Sequence, residues 1–293
     1  MKKVQRSIGV ILSLVMIAAV LAGSGWAGTV AFDGAQDIGV VSREDGSGTR
    51  GAFIELFGIE VRNDDGTRKD MTTKEAVIAN QTNVMMTNIA GNKYGIGYIS
   101  LGSLNKTVKA VDIGGVKATV ENVKNGTYPI ARPFNIATKG EPKGLAKDFI
   151  GFILSREGQA VVSKGYIAID EKAAAYAGGK LSGKIVVGGS SSVTPVMERL
   201  KEAYIALNPG ANIEIQQSDS SAGLKDAING ISDIAMASRE LRESELEQLT
   251  PIRIALDGIA VVVNNDNPIT NLTKDQVKAI FTGETTKWNV LSR

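Results

Sequence analysis

Arg43, Ser47 and Thr49 stand close together in the stretch Val40-Val41-Ser42-Arg43-Glu44-Asp45-Gly46-Ser47-Gly48-Thr49-Arg50. A guanidinium offers a planar fork of N–H donors, and the two hydroxyls add more. The apolar run Ile38 to Val41 enters the stretch and reads as a buried strand; Gly51 to Phe57 leaves it and reads as an amphipathic helix. A strand that turns through glycines into a helix leaves backbone N–H groups unpaired at the helix start, aimed at one spot. Such donors make a site for a small oxyanion. The same residues also suit a plain Asp-Gly-Ser-Gly turn with Thr49 as a helix cap. Two more Ser/Gly turns, Gly189 to Ser192 and Ser218 to Gly223, also follow apolar runs and precede helical ones. Three such turns with an arginine favour oxyanion binding over three unrelated caps.

The 293 residues include no Cys and no His. Disulfides, thiol catalysis, imidazole bases and His or Cys metal ligands are therefore excluded, and a Ser-His-Asp mechanism cannot be assembled. No Ser-x-x-Lys stands at the turns, since Lys225 follows Ser221 by four positions. A hydrolase with a serine nucleophile is left as a remote alternative.

Residues 1–27 differ in kind from the rest. Lys2, Lys3 and Arg6 form a basic start, and Ile8 to Ala22 is almost entirely apolar, short for a spanning helix and suited to a signal-peptide core. Gly25-Trp26-Ala27 offers a small-x-small cleavage site. The expectation is a signal peptide, with an uncleaved anchor as the alternative, and an exported protein, periplasmic or on the outer cell surface. Leu21-Ala22-Gly23-Ser24 is similar to a lipoprotein signal with serine in place of the lipid-bearing cysteine, so lipidation through cysteine is ruled out. Removing 1–27 takes away three basic residues and no acidic one, moving the net charge from +2 to −1. That is no nucleic-acid-binding surface.

The chain is long enough for two domains with a core each. Strands are expected at Tyr94 to Ile99, Val108 to Ile113, Lys184 to Val187, Ile213 to Ile215, Ile234 to Ala237, Ile252 to Ala255 and Ile259 to Val263. Val61 to Met71 reads as a charged loop. Thr72-Thr73-Lys74-Glu75 matches a capping box and predicts a helix to about Asn80; Thr273-Lys274-Asp275-Gln276 matches another and predicts a helix to Phe281. Leu145 to Leu154 carries a helical apolar stripe, and the helix after Thr194-Pro195 has proline at its first position. Glu171 to Ser182 is Ala/Gly-rich and reads as a linker with a helical start. The alternation predicts an α/β fold with mostly parallel sheets. Ligands in such sheets lie beyond the carboxyl ends of strands, where the three turns fall.

Taken together, Gly188 to Pro195, Ser218 to Gly223, Asp233 to Leu241, Asp257 to Val261, Ile280 to Gly283 with Trp288, and Ser42 to Thr49 resemble the phosphate-binding proteins (PstS type) of bacterial phosphate ABC importers. The resemblance covers nearly the whole chain after residue 27. It implies a two-lobe periplasmic-binding-protein fold, type II-like, with the ligand cleft between the lobes. The order departs from the family: the segment like Lys184 to Leu291 usually comes first, and the one like Ile38 to Ile169 second. The halves are exchanged, as in a circular permutation, with 171–183 joining the old ends. The resemblance then implies a split lobe, 30–126 plus 265–293, and a contiguous lobe, 127–264, with crossovers near Gly126 to Phe134 and Val262 to Pro268.

Residue by residue, the resemblance implies phosphate contacts from Arg43, Ser47, Gly48 and Thr49 on the split lobe and from Ser191, Ser192, Ser220 and Ser238 on the contiguous one. Asp45 would hold Arg43, and Ser190 would support its neighbours. Many relatives carry an acceptor aspartate where this chain has Ser238, with Asp219 or Asp257 as the carboxylates that could replace it. Arg239 is expected in a surface salt bridge, and Tyr98, Tyr128 and Trp288 in packing. The implied protein is a monomer without catalytic residues, metal or cofactor, which takes inorganic phosphate to a membrane-embedded ABC permease. The rival readings within binding proteins are a carrier of sulfate or molybdate and a phosphate sensor.

Overall fold

The computed structural model describes residues 31–63 and 68–291. The expected signal peptide lies outside the described residues. Gly39–Arg43 forms β1, buried beyond its first residue, and Gly48–Leu56 forms α1, whose start is capped by the Ser47 hydroxyl. Glu60–Arg62 (β2) and Arg68–Asp70 (β3) pair as a small hairpin, in the stretch that reads as a charged loop.

Val77–Ala79 is β4, parallel to β1. The helix expected from Thr72 to Asn80 does not form. The Thr73 hydroxyl takes the N–H of Glu75 in a local turn, and Val77 and Ile78 stand opposite Val41 and Ser42. Two β-branched residues beside an open strand edge outweigh a capping box. Thr82–Gly91 (α2) then leads to Gly95–Ser100 (β5), buried throughout.

Lys109–Ala110 (β6), Asp112–Ile113 (β7) and Val120–Lys124 (α3) are short. Ala131–Thr138 is β8, followed by Gly144–Leu154 (α4), Arg156–Val162 (α5) and Ile167–Ala168 (β9). After the segment 171–182 come Gly183–Ser190 (β10), Thr194–Leu207 (α6), Ala211–Ser218 (β11), Ser220–Ile228 (α7), Ile234–Ala237 (β12) and Glu243–Leu246 (α8). Thr250–Val263 (β13), Asn271–Leu272 (β14) and Lys274–Thr282 (α9) complete the labelled elements.

The main sheet runs β11-β10-β12-β8-β13-β5-β1-β4. Its two ends are parallel, as expected: β11, β10 and β12 on one, β5, β1 and β4 on the other. The middle is antiparallel, because β8 and β13 pass between the ends. Where two strands are expected at 252–255 and 259–263, β13 is continuous. It pairs with β8 from Thr250 to Gly258 and with β5 from Ile259 to Val263.

Each end has its own apolar packing. Phe53 stacks on Tyr98 at 3.8 Å between ring centroids and meets Phe281 edge-on at 4.7 Å. Under β10 and β8, Phe134, Phe149, Phe152, Met197, Leu200 and Tyr204 form a buried cluster. The segment 171–182 lacks the helical start expected of it and is strapped to this cluster. Tyr176 packs edge-on against Phe152, and its hydroxyl donates to Asp148 Oδ2 at 2.5 Å beside the Tyr204 hydroxyl. The two ends of the described chain also meet, with Ile38 N–H on Thr286 O and Asn289 N–H on Gly34 O. Among the described residues no helix is long and apolar enough to cross a membrane.

Candidate functional site

Polar residues converge where β1, β4, β10 and β12 end. Arg43, the last residue of β1, is 2% exposed. A guanidinium buried this far needs partners for all its donors. Glu44 takes Nε at 2.8 Å and Nη2 at 2.7 Å, Ala79 O takes Nε at 3.1 Å, and Thr82 Oγ1 lies 3.4 Å from Nη1. Nη2 also donates to Ser191 Oγ at 3.1 Å. The strand end is fixed by Tyr98, whose hydroxyl accepts from Arg43 N–H and bonds Ser42 Oγ. Burial pushes the Tyr98 phenol up to about 12, so it stays neutral.

Asp45 does not hold Arg43, contrary to expectation. Its side chain is 96% exposed and pairs with Arg50 at 2.6 Å, while Arg50 also binds Asp70 and the carbonyl of Arg43. The adjacent Glu44 is the partner instead, half-buried with its carboxylate against the guanidinium.

The remaining expected residues do come together. Thr49 Oγ1 and Ser192 Oγ are 2.7 Å apart, and Thr82 Oγ1 lies 3.3 Å from both Ser191 Oγ and Ser192 Oγ. Ser190 Oγ donates to Ser238 Oγ at 2.9 Å and accepts from Ser192 N–H. Ser220 Oγ accepts from Ser238 N–H at 3.1 Å. Ser47 stays at the cap of α1, its hydroxyl accepting from Arg50 N–H. Gly48 is hemmed in: a Cβ there would stand 2.4 Å from Ser220 Oγ and 2.7 Å from Ser238 Oγ. Gly223 needs its glycine for a related reason. A Cβ would fall 2.4 Å from Gly189 Cα, so the start of α7 could not rest on the end of β10.

The N-termini of α1, α2 and α7 open at this cluster through Gly48, Thr82 and Ser220. Their unpaired N–H groups add partial positive charge to the arginine's full one. The flanking carboxylates are all engaged. Glu44 is on Arg43, and Asp219 caps α7 through Ala222 N–H. Asp257 pairs with Arg132 at 3.3 Å. Neither Asp219 nor Asp257 hydrogen-bonds the clustered hydroxyls. Burial raises the Asp257 carboxyl to about 6 and lowers the Arg132 guanidinium to about 10, each held charged against that burial mainly by the other. Arg239 does form a salt bridge, with Glu245 at 2.8 and 2.9 Å, but it is buried rather than at the surface. Tyr98, Tyr128 and Trp288 are buried packing residues.

Three participants escaped sequence reasoning. Glu44 was passed over for its neighbour. Thr82 lies behind the strand that replaced the expected helix; the turn Asn80-Gln81-Thr82 before an apolar run was the available signal. Arg132 has no local signal, since its partner is reached only through the register of β8 on β13.

A mixed sheet with parallel ends, joined by continuous strands beside a cluster of donors, defines a two-lobe solute-binding protein. The family model described as "PBP superfamily domain" matches residues 7–157 and 174–292. The protein named phosphate-binding protein PstS 2 of Streptococcus agalactiae serotype V is 55% identical over 259 residues, which is 87% of this chain and 88% of that one. The crystal structure of a phosphate ABC transporter, phosphate-binding protein, from Streptococcus pneumoniae TIGR4 is 46% identical, with the match covering 87% of this chain and 100% of that one at a TM-score of 0.69. The phosphate-binding protein PstS of Staphylococcus haemolyticus is 36% identical over 116 residues, 37% of each chain. This chain belongs to the PstS family of phosphate-binding proteins within the PBP superfamily.

Proposed function

We propose that this protein captures inorganic phosphate between its two lobes and delivers it to a membrane-embedded ABC permease. It acts as an exported monomer and performs no chemistry. One observation carries the reading: Arg43 and Thr49 from β1 and α1 meet Ser191 and Ser192 from the end of β10 across hydrogen-bonding distance. A tetrahedral oxyanion suits that meeting, since it accepts in every direction and carries the charge that Arg43 complements. Closure around it excludes water and strengthens each hydrogen bond. The names of the streptococcal relatives support phosphate as the anion and transport as the role.

The lobes in this reading are 30–126 plus 265–293, and 127–264. The pairing of Ile259–Val263 with β5 supports drawing the crossover in β13 at Gly258 rather than near Val262 to Pro268. Arg43 to Thr49 then lie on one lobe, and Ser191, Ser192, Ser220 and Ser238 on the other. The exchanged order of the two halves is part of this reading. Titration calorimetry with phosphate, sulfate and molybdate tests the function. Saturable phosphate binding that outcompetes the other two is expected; preference for sulfate or molybdate would assign the site to another oxyanion.

A further inference from the structure

β12 stops at Ala237, and Ser238 and Arg239 then leave the sheet with carbonyls that no strand can pair. Side chains of β8 take them instead. Asn135 Nδ2 donates to Arg239 O at 3.0 Å, and Arg132 Nη1 donates to Ser238 O at 3.0 Å. The N–H of Ser238 is already on Ser220 Oγ. With both backbone groups pinned, the Ser238 hydroxyl comes to lie where Ser190 Oγ donates to it.

Arg132 is itself held in place. It stands directly opposite Asp257 in the β8–β13 register, and the two are 2% and 1% exposed. Its guanidinium carbon lies 5.2 Å from the centre of the Phe134 ring. Asp257 Oδ1 accepts from Gly102 N–H at 3.4 Å, in the turn that follows β5. The next residue, Gly258, is the last on β13 to pair with β8 before Ile259 pairs with Ser100. A buried ion pair is costly to desolvate, and apolar residues in the same register would pack more cheaply. What this pair adds is a guanidinium arm fixed at the strand crossing and directed at one carbonyl of the hydroxyl cluster.

We infer that Arg132, anchored by Asp257, is a positioning residue for oxyanion binding: it sets where the Ser238 hydroxyl stands. It also ties that setting to the point where β13 passes from β8 to β5. The inference rests on the phosphate reading of the cluster. Arg132 touches the ligand only through Ser238, so its effect must pass through that residue.

A double-mutant cycle read by phosphate calorimetry tests it, with a denaturant melt of each variant. Arg132→Met is expected to weaken phosphate roughly tenfold or more, the scale of losing a hydrogen bond from a charged donor. Arg132→Lys recovers part of the loss, because one ammonium cannot serve Asp257 and Ser238 with the geometry of a fork. In a Ser238→Ala background the effect of Arg132→Met shrinks to about twofold or less, since no hydroxyl remains to be misplaced. An undiminished loss in that background, or an Arg132→Met protein that binds as wild type does, overturns the inference. If Arg132→Met does not fold, the same cycle is run with Arg132→Lys and judged by the same non-additivity. Wild type that fails to bind phosphate would sink the reading of the site itself, whereas normal binding with additive variants would sink the inference alone.

Discussion

The two sides of the hydroxyl cluster solve different problems. The β1–α1 side is charged, and its arginines are paired within that side: Arg43 with Glu44, Arg50 with Asp45 and Asp70. The side built from β10, β12 and α7 meets the first mainly with neutral hydroxyls; its carboxylate there, Asp219 against Gly46, is engaged in capping α7. Ser190, Ser220 and Ser238 are satisfied by one another and by backbone N–H groups, while Ser191 and Ser192 reach across to Arg43 and Thr49. One side answers the charge of an anion and the other its shape. A charge-assisted bond in a dry site is worth more than a neutral one, so damage to the two sides should differ in size and in kind.

The largest effect is expected at Arg43. Arg43→Ala should cost roughly 2–5 kcal/mol of phosphate binding, one to several decades in Kd, with the fold kept. Arg43→Lys should recover only part of it, since an ammonium lacks the bidentate fork. Calorimetry that finds Arg43→Ala within about threefold of wild type would erase the distinction between the sides.

Gly48→Ala comes next and probes the fit between them. Alanine suits the first turn of α1, so stability should hold, but its Cβ collides with Ser220 and Ser238. Overpacking of this kind costs about 1–3 kcal/mol, and here it should appear as weaker phosphate binding without a lower melting temperature. A fall in melting temperature with unchanged affinity would place the strain inside one side rather than between the two.

Ser238→Asp would give the neutral side a charge. Phosphate at neutral pH keeps a proton that a carboxylate can accept, whereas sulfate has none. The substitution should therefore improve phosphate-over-sulfate selectivity by about 1–3 kcal/mol, measured as phosphate binding under rising sulfate. Wild type, with a hydroxyl that can donate or accept, should tolerate less sulfate. If a large sulfate excess leaves wild type untouched and Ser238→Asp changes nothing, another acceptor sets the selectivity. Asp45→Asn is the smallest case. Its side chain faces solvent on Arg50, so phosphate affinity should stay within about twofold.

How far each side could be read in advance follows from the distance between partners in the chain. The Ser/Gly turns and Arg43 were legible because strand, turn and helix follow one another within a few residues. The choice of Glu44 over Asp45 was not, since adjacent carboxylates differ only in where the backbone points them. Thr82 was hidden by a capping box that lost to pairing between β4 and β1. Arg132 and Asp257 are brought together by register alone, and the Asp257-Gly258 pair that reads as a break lies inside a continuous strand. The alternation that predicted parallel sheets was sound at the sheet's two ends and silent about the strands that cross between them.

Tyr176 and the Gly34–Asn289 hydrogen bond have a bearing on loop-closure entropy. Closing a loop grows costlier only slowly with length, and least of all between points already in contact. A connector between residues 34 and 289 would bridge such a gap, and a cut among the exposed residues 178–182 would leave every strand pairing of the main sheet in place. Any free-energy difference between two such chain orders would then lie in the hold of segment 171–177, through Tyr176 on Asp148, Phe152 and Tyr204 and through Ala174 and Tyr176 backbone bonds to Arg156 and Glu157, with the oxyanion cluster indifferent to where the polypeptide starts.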